Sequence, residues 1–354
     1  MPDWSKSMQQ TYECYIVDPG TWKNIRQVKT FKSASIDRDS DSDTLGSSSI
    51  EIAEDLGECY VRIYLITRQN GIKESFPLGT FLIQTIPSGF DGKIQNISTE
   101  AYTPLLELKE NNVPIGYYVA KDSNIMDTAY MLARDNARAP VVKPDCTEKL
   151  SGDFVANTDD TWITFVKDLA AYAKYEITLD EMGRIMFAPK QDVASLQPVK
   201  TFNDDNSSIL LPELNTDYDL YGIPNVVEVI YSKGKSYYYA RVVNDDPNSK
   251  LSTVNRGREI VCRITDPDLI GDPTKYQIEE YARQTLRTKS SIEYTVTYKH
   301  GYYPVRVGDC VRLNYTRAGL IDVKAKIVSQ SISCGNAGCI VTEKATYTKK
   351  LWEG

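Results

Sequence analysis

YYPVRVGDCVRLNY, residues 302–315, decides how the rest of the chain is read. A proline precedes a valine-rich alternation. Val305, Val307, Val311 and Leu313 are its apolar set, and each pair keeps the period of two that puts side chains on one face of a strand. Between the pairs stand Gly308 and Asp309. Glycine accepts backbone conformations that other residues resist, and an aspartate carboxylate can take hydrogen bonds from nearby backbone N–H groups. The stretch predicts a corner at which one strand ends and the next begins.

Outward from the corner the chain continues as strands: SSIEYTVTYKHGYY before it, VKAKIVSQSIS and CIVTEKATY after it, and TYTKKLWEG at the close. Further upstream, PNVVEVIYSKGKSYYYARVV reads as a hairpin around Lys233, Gly234 and Lys235, and GREIVCRIT as another strand. One helix interrupts, with Asp272 as cap, Pro273 at its first position and Ile278, Tyr281, Ala282 and Leu286 apolar at helical spacing. Residues 201–354 are therefore expected to form a β-barrel domain with one inserted helix.

The first 110 residues carry the same signature. SSSIEIAED, CYVRIYLITRQNG, FPLGTFLIQTIPSG and GKIQNISTEAYTPLLELK follow one another with turn residues between them, as in an antiparallel barrel. Tyrosine is abundant, 24 residues against 8 phenylalanines, and with Val, Ile and Thr it favours strands. Residues 111–200 differ. A helix is expected at Ile125 to Arg138, capped by Ser123 or Asn124, and another with Trp162, Phe165, Val166, Leu169 and Ala173 on one face. The second runs into a hairpin turning at Asp180 to Gly183. The predicted class is α+β, mainly β: two similar antiparallel β-barrel domains with a small α+β domain between them.

Composition narrows the function. With 354 residues, 41% apolar and 25% charged, the chain is an ordinary globular one. No apolar run reaches a membrane-spanning length, and the N-terminus MPDWSKSMQQ lacks the apolar core of a secretory signal. Seven cysteines, an odd number from Cys14 to Cys339, do not make a disulfide framework and suit synthesis in a reducing cytoplasm. A net charge of −7 argues against a sequence-reading nucleic-acid binder, which needs a basic stripe, and is compatible with a surface that DNA passes without sticking.

Candidate chemistry is sparse. The single histidine, His300, lies between Lys299 and Gly301 in an expected hairpin turn and lacks the partners of a catalytic base. The run DRDSDSD, residues 37–43, alternates four aspartates, but in either register the calcium-loop positions for Gly and Glu hold other residues: Ser42 and Ser48, or Thr44 and Ile50. It is expected to be a solvated acidic loop. Cys334 and Cys339, in CGNAGC, lack two further zinc ligands and read as flanks of a tight turn. The 48 acidic residues single out no glycosidase pair, and no phosphate-binding glycine motif occurs. No catalytic, cofactor-binding or metal residue is assigned, and no cofactor is expected.

In order along the chain, DDPNSKLSTVNRGREI, the helix KYQIEEYARQTL and IEYTVTYKHGYYPVRVGDCVRLNY resemble the C-terminal part of baseplate and tail-tip hub proteins of tailed phages. These are relatives of the central hub of T-even contractile phages, present also in siphophages and tailocins. In that family the segment around Ser249 and Gly257 precedes a helix, and the corner at Gly308 and Asp309 opens the closing barrel. STEAYTPLLELKEN, LDEMGRIMFAP and PNVVEVIY are similar to further family segments, with a departure at Thr103, where the family often has Asp. The resemblance implies a homotrimer whose two barrels per subunit form a ring of near sixfold symmetry, adapting the sixfold tail tube to a threefold tip. It also implies a channel for DNA ejection, with the distal tail protein, tube protein, tape measure protein and a tip spike or fibre as partners, and a place in the virion. Since the chain stops at Gly354, soon after the closing strands, no lytic domain is expected. A second reading is a carbohydrate- or receptor-binding module using the tyrosines of KSYYYARVV as a stacking platform.

Overall fold

In the computed structural model of the chain, residues 2–85, 89–90, 95–205, 209–232, 237–267, 273–336 and 338–352 are described. The expected hairpin turn at Lys233, Gly234 and Lys235 and the expected helix cap Asp272 lie outside them. Among the described residues five helices are found; with 47% strand and 15% helix the class is α+β and mainly β, as expected. No closed barrel is found among the described residues. Two units are distinguished, one of Met1–Leu214 with Thr297–Ala345, the other of Asn215–Val296 with Thr346–Gly354. No helix among the described residues is long and apolar enough to cross a membrane.

In the first unit, neighbouring strands run in the order Leu320–Gly335, Ser33–Asp39, Gly46–Ile52, Gln95–Tyr102, Ile72–Thr85, Cys59–Gln69, Gln9–Val17 and Asn24–Gln27. All these pairings are antiparallel. Alternation sets the faces: in Gly46–Ile52 the residues Ser48, Ile50 and Ile52 are buried, and across the ladder Ile36 stands opposite both Ser48 and Ile332. Their core comprises Ile36, Ile50, Val61, Ile63, Leu65 and Leu78, joined by Ile332 and Val341 from the C-terminal strands. Gly46 is required where it stands, because a Cβ there would lie 2.1 Å from the Asp37 carbonyl oxygen.

The helical segment follows. Ile125–Asn136 is capped by Asn124, whose side chain accepts from the Asp127 N–H at 2.8 Å, and Trp162–Tyr172 by Thr161. Met126, Ala129, Ala133, Phe165, Val166 and Leu169 pack between the helices and the hairpin of Tyr175–Leu179 with Ile185–Pro189. The same core takes in Val17, Trp22, Tyr60 and Leu82 from the β region. Interlocking is polar as well: Trp22 donates its indole N–H to the Met182 carbonyl at 2.6 Å, and the fully buried Arg62 donates to that carbonyl at 3.0 Å and to Thr80 at 2.7 Å.

The second unit has a three-stranded sheet, Tyr238–Val243, Val226–Tyr231 and Val261–Thr265, the last pair parallel. Helix Lys275–Lys289 lays Ile278, Ala282 and Leu286 on Val227, Val229 and Ala240. Its N-terminus is a capping box of Thr274 and Gln277. The helix thus begins two residues beyond the expected Pro273, because the Thr274 hydroxyl and Gln277 amide satisfy its first N–H groups.

Candidate interaction site at the Gly308 corner

The corner is present, with one difference from the sequence pattern. The strand before it ends at Gly301, so residues 302–309 are loop and turn, and the next strand starts at Cys310. Pro304 lacks a donor, and Val305 buries its side chain without joining a ladder. Gly308 adopts φ 97°, the left-handed region that glycine alone enters freely. Asp309 closes the turn: its carboxylate accepts from the Arg306 N–H at 2.8 Å and its own N–H donates to the Arg306 carbonyl at 3.1 Å. Gly308 N–H donates to the Ile327 carbonyl at 2.8 Å, and Ile327 returns a bond to the Asp309 carbonyl at 2.9 Å. Burial pushes the Asp309 carboxyl above its ordinary range, against the Arg306 N–H bond and charge that lower it.

So held, the corner presents Arg306 to the hairpin turn. Arg306 meets Glu181 at 2.6 Å, and Arg38 reaches the other Glu181 oxygen at 3.7 Å. Arg38 also donates to Gln330 at 3.0 Å, and Gln330 donates to the Val305 carbonyl at 2.9 Å and to Glu343 at 2.7 Å. Behind lies a fully buried group: Glu343 accepts from the Tyr298 hydroxyl, and His300 stands beside it. Burial first, then the Glu343 charge, holds the Tyr298 phenol well above its ordinary value.

A cleft of about 690 Å³ opens in front of the corner. Its walls are the corner itself, the strands Ser33–Asp39 and Ile72–Thr85 around Arg38 and Leu78, and the hairpin from Lys174 to Gln191. Lys167 reaches it from its helix, bonded to the Asp43 carbonyl at 2.8 Å, and burial lowers its pKa. Charges of both signs and apolar side chains share the lining.

The residues singled out in the sequence are dispersed. His300 is not in a turn: it sits in the strand Ser291–Gly301, completely buried, since alternation with Tyr298 and Val296 turns it inward. Asp37 and Asp39 belong to the strand Ser33–Asp39 rather than to a loop, and Asp43 pairs with Lys109 at 2.9 Å. Cys334 and Cys339 flank the turn between the last two strands, both buried and free, and Cys334 is raised first by its hydrogen bond with Cys339 and then by burial. Among the described residues no group of three or more His, Cys, Asp or Glu is assembled that could hold a metal. Thr103 donates to the Thr44 carbonyl at 2.5 Å, fastening the acidic turn. Tyr237 and Tyr239 are exposed, with Tyr239 on Glu228 at 3.1 Å, and Tyr238 packs inward.

Near Ser249 and Gly257 the sequence is explained by a polar knot. Buried Asn244 donates to the Ser249 hydroxyl at 2.9 Å, Ser252 caps the turn Thr253–Arg256, and Gly257 ends it at φ 62°. Buried Asn225 holds the following strand through the Ile260 N–H at 2.7 Å. The buried Glu343, Gln330 and Arg62 were not singled out in the sequence; a lone charged residue inside an apolar alternation, as in CIVTEKATY, is the signal that marks Glu343.

No protein-family model matches the chain, and no curated protein does. Solved structures do. The tail protein from Neisseria meningitidis MC58 superposes with a TM-score of 0.62 at 14% identity, over 95% of this chain and 97% of that one. The 43 kDa tail protein of prophage MuSo2 from Shewanella oneidensis gives 0.62 at 11% identity, over 95% and 98%. A chain of the Francisella PdpA–VgrG complex gives 0.57 at 8%, over 96% of this chain and 58% of that one. The chain therefore has the fold of these tail proteins along nearly its whole length, in agreement with the resemblance read from its segments.

Proposed function

We propose that this chain, built on the fold of phage tail proteins, is a structural component of a phage-type tail, the hub at its tip. The supporting observation is that the likeness to two tail proteins runs end to end in both chains. In this reading three copies form a ring, each contributing two barrel-like β modules, and the ring adapts a sixfold tube to a threefold tip. The α+β segment of residues 111–200 decorates the outside. Its partners are the distal tail, tube and tape measure proteins and a tip spike or fibre, and DNA leaves through the centre. The net charge of −7 suits a wall that repels phosphate. The role is one of assembly and passage, without catalysis, in the virion.

Native mass spectrometry of the purified chain, alone and with the tail protein encoded beside it, tests this. A trimer in either condition is expected; a strict monomer in both overturns the hub. The exposure of Tyr239 on the strand Tyr238–Val243 and of Tyr237 just before it favours a second reading, a glycan- or receptor-binding module at the tail tip. That reading predicts a monomer that binds cell-wall sugars.

A further inference from the structure

The hairpin of Tyr175–Leu179 and Ile185–Pro189 is a sheet of two strands whose outer edges are treated differently. Beside Ile185–Pro189 the edge is closed by the chain that precedes it: Ile185 N–H donates to the Pro140 carbonyl at 2.9 Å, and Val142 N–H to the Ile185 carbonyl at 2.8 Å. Beside Tyr175–Leu179 no strand or bridge covers the edge among the described residues.

Register settles which groups are open. Lys190 N–H donates to the Lys174 carbonyl at 2.8 Å and Asp180 N–H to the Arg184 carbonyl at 3.2 Å. Residues 174, 176, 178 and 180 therefore bond across the hairpin, and Tyr175, Ile177 and Leu179 turn their N–H and C=O groups outward. Pro189, opposite Tyr175, occupies a position where no cross-hairpin N–H is needed.

That open edge faces the cleft. Every residue from 174 to 181 lines it, as a strand seen side-on must, whereas the Ile185–Pro189 strand contributes Met186, Ala188 and Pro189. The opposite wall is the Gly308 corner with Val307, together with Leu78 and Leu45. Charge gives the cleft a polarity. Lys174 and Lys190 are exposed together at the hairpin's open end, and among the described residues neither has a carboxylate partner. At the other end Glu181 is already matched by Arg306 and Arg38, and Asp180 by Arg184.

We propose that the cleft accepts an extended segment of a partner protein, which adds as a strand to Tyr175–Leu179, its side chains alternately apolar and its acidic residues at the end beside Lys174 and Lys190. An uncovered strand edge is a template for such addition: the outward N–H and C=O groups supply directional bonds, and the cleft walls receive alternate side chains. The site stands whether or not the chain forms a tail ring.

The test is selection of a random-peptide display library on the full-length chain, followed by binding and amide-exchange measurements with the enriched peptides. Peptides with alternating apolar residues and acidic residues at one end are expected, and their binding should slow exchange at the Ile177 and Leu179 amides. Leu179→Pro removes an outward donor while leaving the cross-hairpin bonds in place, and should weaken binding at least about tenfold. Should that variant misfold, the surface double variant Lys174→Glu/Lys190→Glu should weaken the same peptides to a similar degree. No enrichment above background, enrichment of basic peptides, or peptides that bind both variants as well as the parent would overturn the proposal. So would concentration-dependent protection of Ile177 and Leu179 in the chain alone, which would make a second copy the occupant.

Discussion

His300 Nε2 lies 3.2 Å from Glu343 Oε1, and neither side chain has any solvent exposure. The pair lacks the alignment of a hydrogen bond, and His300 Nδ1 is engaged by the Gly301 carbonyl at 2.6 Å. Glu343 is satisfied instead by the Tyr298 hydroxyl and by Gln330. Around them Phe202 packs on His300 with ring centroids 4.6 Å apart. The one histidine and an interior carboxylate therefore act as a fixed polar core behind the Gly308 corner.

Removing the carboxylate should be costly. Glu343→Leu leaves the Tyr298 hydroxyl and the Gln330 amide with buried donors facing a hydrocarbon, and at about 1–3 kcal/mol for each unsatisfied buried group a loss of roughly 2–6 kcal/mol is expected. Tyr298→Phe removes one donor and should cost about 1 kcal/mol. Urea unfolding of the two variants measures both. A Glu343→Leu loss no larger than that of Tyr298→Phe would show that the network adds nothing beyond single hydrogen bonds.

The corner itself predicts an asymmetry between neighbours. At Gly308 a Cβ meets nothing within 4 Å, so Gly308→Ala carries only the conformational cost of φ 97°, roughly 1–2 kcal/mol. Asp309→Ala leaves the Arg306 N–H without its acceptor but also relieves a buried carboxyl whose pKa is raised. The sign follows from linkage: the folded state favours protonated Asp309, so its contribution falls as pH rises above the ordinary value of 3.8 through the raised one. Asp309→Ala should therefore destabilise more at pH 4 than at pH 7, read as the shift in urea midpoint at the two values. An equal shift at both would remove Asp309 as a titrating group.

These effects show what the sequence exposes and what it hides. Gly308 and Asp309 announce a turn by residue type alone, and the helices at Asn124 and Thr161 follow from caps and apolar spacing, because both signals are local. The strand expected before the corner fails, since Val305 and Val307 alternate without a neighbour to pair with. His300 departs from its expected turn for a similar reason: Gly301 suggests a turn, but the strand runs through it. Thr274 outranks Pro273 as the start of the long helix because Gln277 completes a capping box. The cleft was illegible, since its walls come from strands, hairpin and corner far apart in sequence, joined by contacts such as Arg306 with Glu181.

The anchoring of the hairpin by Trp22 can be tested while an aromatic ring is kept in the core. Trp22→Phe keeps a ring against Tyr60, now 4.9 Å away centroid to centroid, but withdraws the indole donor from the Met182 carbonyl. Arg62 still serves that carbonyl at 3.0 Å, so the loss should stay near that of one neutral hydrogen bond plus reduced packing, about 1–2 kcal/mol. Arg62→Met should cost more, because it strips donors from Thr80, Asn24 and Met182 together. Equal losses would place the anchor in packing rather than in polar contacts.

Alkaline pH should weaken the fold through its buried thiols. Burial pushes Cys14 up to about 12 and Cys59 up to about 11, from an ordinary 9.0. A raised folded value means that stability is complete below the unfolded pKa and declines as pH climbs from about 9 towards those values, since only the unfolded chain ionises in that window. At pH 8 neither thiol holds much thiolate, so iodoacetamide should label Cys14 far more slowly in the native chain than in urea. Cys14→Val should flatten the decline in urea midpoint between pH 8.5 and pH 10.5 relative to the parent. If the decline is unchanged in that variant, or if native Cys14 labels as fast as the unfolded chain, its burial on the core face of the strand Gln9–Val17 is not the source of the pH dependence.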